Sequence, residues 1–320
     1  MLILHKSQAR DDLKVSTRVI YDEFQAQHHT VTIVDAEASL LEYTDRHGEE
    51  HFLFSTCSER SSATGKTIAD SKARTAVVAR RLAIPIPLSI VCRDIREARK
   101  FFATHHPLVV KPARGSGGKG VTTNVTTHEA FTNAYSYAKN YSHEVIVQQH
   151  IVGDDIRLLI VGGVFSSAVL RKPAHIIGDG IATIKESIAK ANESPSRNDD
   201  TKSSLMHINK IAAQRFLGET INDIPDNGHE VRVVGPANVS LGGSLHEATH
   251  LVMPAMVRDA ERLTNKLRLG ICGVDMMWNQ VTQQYYLLEV NATPGIDIHN
   301  DPFSGTSSDC VQKYVEWLVQ

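Results

Sequence analysis

Three oxygen-bearing side chains stand close together near the C-terminal end of this 320-residue chain: Asp275 in GVDMMW, and Glu289 and Asn291 in LLEVN. Both segments read as strands, and residues two apart on a strand share a face. Glu289 and Asn291 therefore point the same way, and hairpin pairing brings Asp275 to them. Hard oxygen ligands of this kind suit Mg²⁺ bound jointly with phosphate oxygens. Any one of the three alone would as readily face water; together, at the end of an apolar hairpin, they point to a metal.

A second candidate is KPARGSGGKG, residues 111–120, in which Gly115, Gly117 and Gly120 follow the order G-x-G-x-x-G. A dinucleotide-binding reading needs a strand before the loop and a helix after it. Leu108, Val109 and Val110 give the strand, but VTTNVTT is β-branched and gives a second strand instead of a helix. The loop is then a flap between antiparallel strands, with backbone N–H groups to offer phosphates. An ordinary hairpin turn is the competing reading.

Other matches carry less. SATGKT, 62–67, mimics the end of a phosphate-binding Walker loop, but position 60 is Arg60 where that motif needs glycine, so a turn before a helix is expected. HEATH, His246 to His250, spells the zinc-protease pattern H-E-x-x-H. That chemistry requires both histidines on one helical face, yet Gly242 and Gly243 precede the motif, Pro254 follows closely, and Met253 replaces the glycine of the longer signature. Among sixteen histidines such a match arises readily by accident. No H-R-D or D-F-G occurs, which excludes a protein kinase.

The elements that must position these residues are readable in outline. Residues 1–66 show strand-like TVTIV and FLF around the turn-prone DRHGEE, which suggests a small α/β lobe. A helix is expected from Asp70 to Leu82, ending before IPIP, where Pro85 and Pro87 forbid its continuation. The flap strands follow, then a helix near 128–140 and the strand EVIVQQHI. After Gly153, IRLLIVGGVFSSAVLRKP reads as a hairpin turning at Gly162-Gly163. ESPSRNDDTKSS, 193–204, is polar and reads as a loop. A long helix is expected from Pro254 to Gly270, before the two strands of the acidic group. The fold class is α+β, in three parts: 1–66 on the substrate side, 67–147 with the flap, and 148–320 with the metal site.

Composition narrows the partners. The chain is 42% hydrophobic with a net charge of −2 and no long basic cluster, so no nucleic-acid partner is expected. MLILHKSQAR is too short an apolar run for a signal peptide, and no segment approaches the ~18 apolar residues of a membrane span, so a cytoplasmic protein is expected. Cys57, Cys92, Cys272 and Cys310 form no C-x-x-C pair, which argues against zinc clusters and redox motifs.

From about Thr67 to Gln320 the chain resembles the ATP-grasp ligases, in the branch holding the ATP-grasp module of cyanophycin synthetase and of bifunctional glutathione synthetases. The blocks that carry the resemblance include SKARTAVVARRLAIPIP, VVKPARGSGGKGVTTNV, GDDIRLLIV, LRKPAHIIGDGIATIKESI, ANVSLGG, ICGVDMMW and LLEVNATPGIDIHNDP. The resemblance implies an ATP-grasp fold and a carboxylate–amine ligase that joins small-molecule acids to amines through an acyl phosphate. It implies ATP and Mg²⁺ as cofactors, two ions, with Mn²⁺ as a substitute, and it leaves room for a homodimer. Lys72 and Lys111 match lysines on the nucleotide phosphates, and Gly115, Ser116, Gly117, Gly118 and Gly120 match the covering loop. Gln148, Gln149, His150 and Ile151 match the linker around adenine, where the family usually has glutamate at the position of Gln148. Asp155 matches the acid on the ribose, and Asp275, Glu289 and Asn291 match the metal ligands. Arg171, Arg232, Asn238 and Gly295 match the acyl-phosphate site, with Arg157 and His299 in the same substrate pocket.

Cyanophycin synthetase continues into a Mur-ligase half that this sequence does not show. The expectation is therefore a stand-alone ligase joining an amino acid or small peptide carboxylate to an amine, with the specificity pockets in 1–66 and 193–204 and the choice between a single amide and an oligomer left open. A catalytically silent ATP-binding subunit is the rival reading, and a zinc protease a remote one.

Overall fold

In the computed structural model, which describes residues 7–114, 118–194, 197, 205–235 and 237–320, the N-terminal lobe opens with helix α1 (Val15–Ala26). Its Ile20 and Phe24, one turn apart, are fully buried. An antiparallel meander follows: β1 (Val31–Asp35), β2 (Leu40–Thr44), β3 (Glu50–Phe54) and the short β4 (Cys57–Ser58). The lobe is therefore α+β where the sequence suggested α/β. LLEYT, not anticipated as a strand, alternates buried Leu41 and Tyr43 with half-buried neighbours.

SATGKT is a helix and not a turn. The Ser62 hydroxyl accepts from the Gly65 N–H and caps α2 (Ala63–Ala69), which leads to α3 (Lys72–Arg81), capped in the same way by Ser71. The glycine serves packing: a Cβ on Gly65 would lie 1.9 Å from the Leu267 carbonyl oxygen.

The central lobe contains β5 (Ser89–Cys92), α4 (Ile95–His105), β6 (Leu108–Pro112), β7 (Thr122–Val125), α5 (His128–Lys139) and β8 (Val145–Gln149). Its antiparallel sheet has the order β5-β8-β6-β7. Phe102 of α4 and Phe131, Ala134 and Ala138 of α5 cover one face, against Leu108, Val110, Val145 and Val147. The other face carries Val109, Lys111 and Gln148. The expected flap strands are thus β6 and β7.

The C-terminal lobe begins with the hairpin of β9 (Asp154–Val161) and β10 (Val164–Lys172), turned by Gly162 and Gly163 at φ 59° and 82°. A small subdomain holds β11 (His175–Ile177), α6 (Ile184–Asn192), α7 (Lys210–Leu217) and β12 (Glu230–Arg232). Then come β13 (Ser244–Glu247), α8 (Pro254–Leu267), β14 (Ile271–Asn279), β15 (Gln284–Asn291), α9 (Asp297–Asn300) and α10 (Cys310–Leu318). The large sheet is antiparallel in the order β13-β10-β9-β14-β15. Helix α8 stops earlier than expected, because Arg268 takes the left-handed conformation (φ 53°) two residues before Gly270. Most of 193–204 lies outside the described residues.

The period of two along β9 and β14 divides the sheet. Ile156, Leu158, Ile160, Cys272, Val274 and Met276 face the core formed with α8, α2 and α3. On the opposite face, Leu159, Val161 and Ile271 are covered by α10 and the N-terminal lobe. The remainder of that face, with Asp155, Arg157, Asp275 and Met277, is left for a cleft. Ala69, Ala79 and Ile84 pack in the large-sheet core, so no packing boundary falls at residue 67. We expect Gly65→Ala to lower stability by about 2 kcal/mol or more in thermal or urea unfolding, because the added methyl meets backbone; an unchanged midpoint would contradict the contact between α2 and α8.

Candidate active site

A cleft of about 930 Å³ lies between the inner faces of the central and large sheets and is bridged by the linker 148–153. At its floor β14 pairs with β9 on one side and β15 on the other, placing Asp275 opposite both Arg157 and Glu289. The pairing of β14 with β15 slips at Asp275/Met276, where Met276 faces Leu287 and Leu288 is the extra residue. The bulge lets Leu288 and Glu289 both line the cleft, while Leu287 and Val290 stay in the core.

Asp275 is 1% exposed and carries the floor's charge network. Arg157 donates to it twice, Nε to Oδ1 at 2.6 Å and Nη2 to Oδ2 at 2.8 Å. Arg171 Nη2 donates to Oδ2 at 2.9 Å, and its Nε to Asp155 Oδ1 at 2.9 Å. Burial alone would raise the Asp275 pKa, but Arg157 and Arg171 outweigh it and hold the carboxyl well below the usual carboxylate range. For Asp155 burial wins over Arg171 and the carboxyl is pushed up. Asn291 Nδ2 lies 3.3 Å from Asp275 Oδ2 and 3.4 Å from Glu289 Oε1, so the three expected ligands do converge. Lys72 Nζ is 2.7 Å from Glu289 Oε2.

Across the cleft, Lys111 Nζ donates to Gln148 Oε1 at 2.8 Å. Both side chains are buried and the acceptor is neutral, so burial pushes the ammonium down to about 8, with Glu289 opposing and Lys72 assisting.

Of the residues anticipated from sequence, the cleft brings together Lys72, Lys111, Gly118, Gln148 to Ile151, Asp155, Arg157, Arg171, Arg232, Asn238, Asp275, Glu289 and Asn291. Gly115, Ser116 and Gly117 lie outside the described residues. Gly120 packs against Pro112 and Tyr141 and does not line the cleft. Two substrate-pocket expectations need correcting. Gly295 does not line the cleft: it sits beside Asp297, whose carboxylate accepts from the Ser16 hydroxyl. His299 is 1% exposed behind the cleft wall, with Nδ1 3.0 Å from Ser167 Oγ and Nε2 lacking a hydrogen-bond partner. Burial, aided by Arg157, pushes its imidazole down to about 3, so it stays neutral.

The N-terminal lobe is expected on the substrate side; among the described residues, none before Lys72 lines the cleft. HEATH spans strand β13 and a 3₁₀ turn at Thr249–Leu251, so its histidines share no helical face. His246 bonds Ser304 and Ser244 instead. Sequence reasoning missed Lys172 and His175, although both flank Arg171 in LRKPAH, and it missed Met277 and Leu288, which line the cleft beside Asp275 and Glu289.

Residues 69–295 match the ATP-grasp domain family. The chain belongs to this family. It is 29% identical over 262 residues to cyanophycin synthetase of Trichormus variabilis (strain ATCC 29413 / PCC 7937), covering 78% of this chain and 29% of the relative. With the Synechocystis enzyme (strain ATCC 27184 / PCC 6803 / Kazusa) it shares 29% over 97% of this chain and 37% of the relative. With the glutathione biosynthesis bifunctional protein GshAB of Clostridium perfringens (strain 13 / Type A) it shares 24%, over 96% and 41%. The chain thus spans less than half the length of these relatives. A crystal structure of a bifunctional glutathione synthetase from Pasteurella multocida has the same fold, with TM-score 0.68 at 23% identity, covering 97% of this chain and 44% of that one.

ATP-grasp ligases use a divalent metal, and the floor fits one. The Asn291 amide lies within 3.4 Å of a carboxylate oxygen of both Asp275 and Glu289, all three are hard donors, and turning the amide over presents its oxygen to the same place.

Lys111 gives a prediction that needs no ligand. Its folded pKa of about 8 lies below the ordinary 10.5. Its charge therefore costs stability, fully below about pH 8, and the cost is relieved as pH rises toward 10.5. Lys111→Met is expected to stabilise the protein at pH 7 by up to about 3 kcal/mol in urea unfolding, with the gain fading above pH 8. A variant less stable than wild type at pH 7 would show that the ammonium is well compensated.

Proposed function

We propose that this chain is an ATP-dependent carboxylate–amine ligase that forms an amide or peptide bond, through an acyl phosphate, on an amino acid or small peptide. The observation that carries this reading is the opposition, across one cleft, of the lysine-bearing flap sheet to Asp275, Glu289 and Asn291, with Lys72 bonded to Glu289. Support comes from the length of the match to synthetases of cyanophycin and glutathione, which form amide bonds at the expense of ATP. The reading places the enzyme in the cytoplasm, as a monomer or homodimer, with small-molecule acid and amine substrates.

A carboxylate is a poor electrophile, because an attacking amine must expel oxide. One carboxylate oxygen therefore first attacks the γ-phosphorus and ADP leaves. The amine nitrogen then attacks the carbonyl carbon, phosphate departs with the C–O bonding pair, and the nitrogen loses a proton. Both partners of the first step are anions, so the chain must bring cations to them. Lys72 and Lys111 do so from two sides of the cleft. Asp275, Glu289 and Asn291 would hold two Mg²⁺ ions, or Mn²⁺, whose charge when bound neutralises phosphate oxygens.

The linker from Gln148 to Ile151, with Val109, Met277 and Leu288, would hold the base, and Asp155 would take the ribose hydroxyls. Arg171, Arg232 and Asn238 face the acyl end, where an arginine stabilises the tetrahedral oxyanion. Water would hydrolyse the acyl phosphate, so the mechanism requires that the flap sheet of β6 and β7 exclude it from the site. Arg157 holds Asp275 in place and leaves Nη1 for the substrate.

Purified protein with ATP and magnesium, screened against amino acids and dipeptides for ADP release, with mass spectrometry of the product, tests this reading. ATP binding without ADP release for any acid and amine pair would favour a silent ATP-binding subunit. With a turnover assay in hand, Glu289→Gln is expected to keep its melting temperature and lose ~10²-fold or more in kcat; near-normal ADP release would remove Glu289 from the metal site.

A further inference from the structure

We propose that helix α7 is a latch that holds the two sides of the cleft together and sets Arg232 in the same contact, with Arg215 and Tyr137 as its positioning residues. The linker 148–153 is the covalent bridge between the lobes. A second, non-covalent bridge is made by the small subdomain. The guanidinium of Arg215, on α7, lies 4.1 Å from the ring centroid of Tyr137, on α5 of the central lobe. Arg215 is exposed, and among the described residues no carboxylate pairs with it. The ring is fixed in turn by Tyr141, edge-on at 5.4 Å, and Tyr141 packs beside Gly120 at the end of the flap.

The next residue on α7, Phe216, meets Arg232. The Phe216 ring lies under the Arg232 guanidinium, 5.8 Å from its centroid. Arg232 has no carboxylate partner among the described residues; Nε donates to the Val234 carbonyl at 2.9 Å and Nη2 to that of Gly235. Gly235 is where the lobes touch again: a Cβ there would meet Thr123 Oγ1 of β7 at 3.3 Å and Phe216 Cδ2 at 3.4 Å. Adjacent residues of one helix therefore grip the flap lobe and hold the arginine at the acyl end. Opening the flap separates Arg215 from Tyr137 and Thr123 from Gly235, so the Gly235 carbonyl that accepts from Arg232 Nη2 loses its backing against β7.

The first test needs no nucleotide. Amide hydrogen exchange of wild type is compared with Arg215→Ala, Tyr137→Leu and Tyr137→Phe. Exchange is expected to rise together in 122–139, 210–217 and 231–235 for the first two variants. Tyr137→Phe, which keeps the ring, should match wild type. Unchanged exchange overturns the latch, and a rise confined to 122–139 overturns its coupling to Arg232.

The second test rests on the ATP site proposed above and uses a fluorescent ATP analogue, chased with unlabelled ATP in stopped flow. Arg215→Ala and Tyr137→Leu should each speed release roughly two- to five-fold, as expected for loss of an exposed cation–π contact. The double variant should be no faster than the faster single. Wild-type release rates, or multiplying effects, overturn the latch. Failure of the analogue to bind wild type overturns the ATP reading, and the exchange result then decides the latch by itself.

Discussion

Asp275 is a carboxylate at 1% exposure in the middle of an antiparallel sheet, and the cleft is arranged around keeping it ionised. Uncompensated, such a charge would cost several kcal/mol or would take up a proton. Arg157 arrives from the strand on one side and Arg171 from one strand further, so compensation comes from β9 and β10, while Glu289 and Asn291 stand on β15. The cross-strand register is therefore an electrostatic requirement as well as a packing one. A slip of one residue in β9 would turn Arg157 into the core against α8 and leave Asp275 unpaired. The network also accounts for the neighbours: Asp155 shares Arg171, and Gly273 leaves room for the Arg157 side chain, whose Cδ would lie 3.1 Å from a Cβ there.

The same period of two explains the architecture behind the site. Along β9 one face is apolar from Ile156 to Ile160, while the other changes from Asp155 and Arg157 to Leu159 and Val161. The apolar end of that face needs a cover, and α10 with the N-terminal meander supplies it. This is a structural role for residues 7–66, and it is why none of them reaches the cleft. A lobe that holds the far end of the sheet fixes the strands that carry the charge network.

Much of this was legible in the sequence, for identifiable reasons. Glu289 and Asn291 could be placed on one face because strand alternation is local, and Asp275 could be added because a short hairpin constrains its partner. The flap strands were readable from their β-branched composition. What failed depended on distant contacts. SATGKT is a helix because Ser62 caps it and Gly65 fits under Leu267, two hundred residues away in sequence. His299 and Gly295 lie close in the chain to the site residue Asn291 but fall outside the cleft lining, Gly295 beside Asp297 and His299 buried on the short helix α9. The Leu288 bulge, which turns an apolar residue into the cleft, leaves no mark in LLEVN that alternation would reveal.

The substitution at position 148 shows how one atom redistributes charge in such a site. A glutamate there would give the buried lysine an ion pair, keep its pKa high, and spend part of its field on a fixed carboxylate. Gln148 accepts the same hydrogen bond at 2.8 Å with no net charge, so Lys111 keeps its full field but loses the partner that makes its burial easy. The fold tolerates this because Glu289 lies near enough to offset part of the cost, while Lys72 adds to it. Burial prevails at Lys111 over the two carboxylates that oppose it, Glu289 and Asp155. On the ATP reading proposed above, an incoming triphosphate would supply the negative charge that Gln148 does not. A glutamine at this position therefore favours charge complementarity to the ligand over stability of the empty cleft.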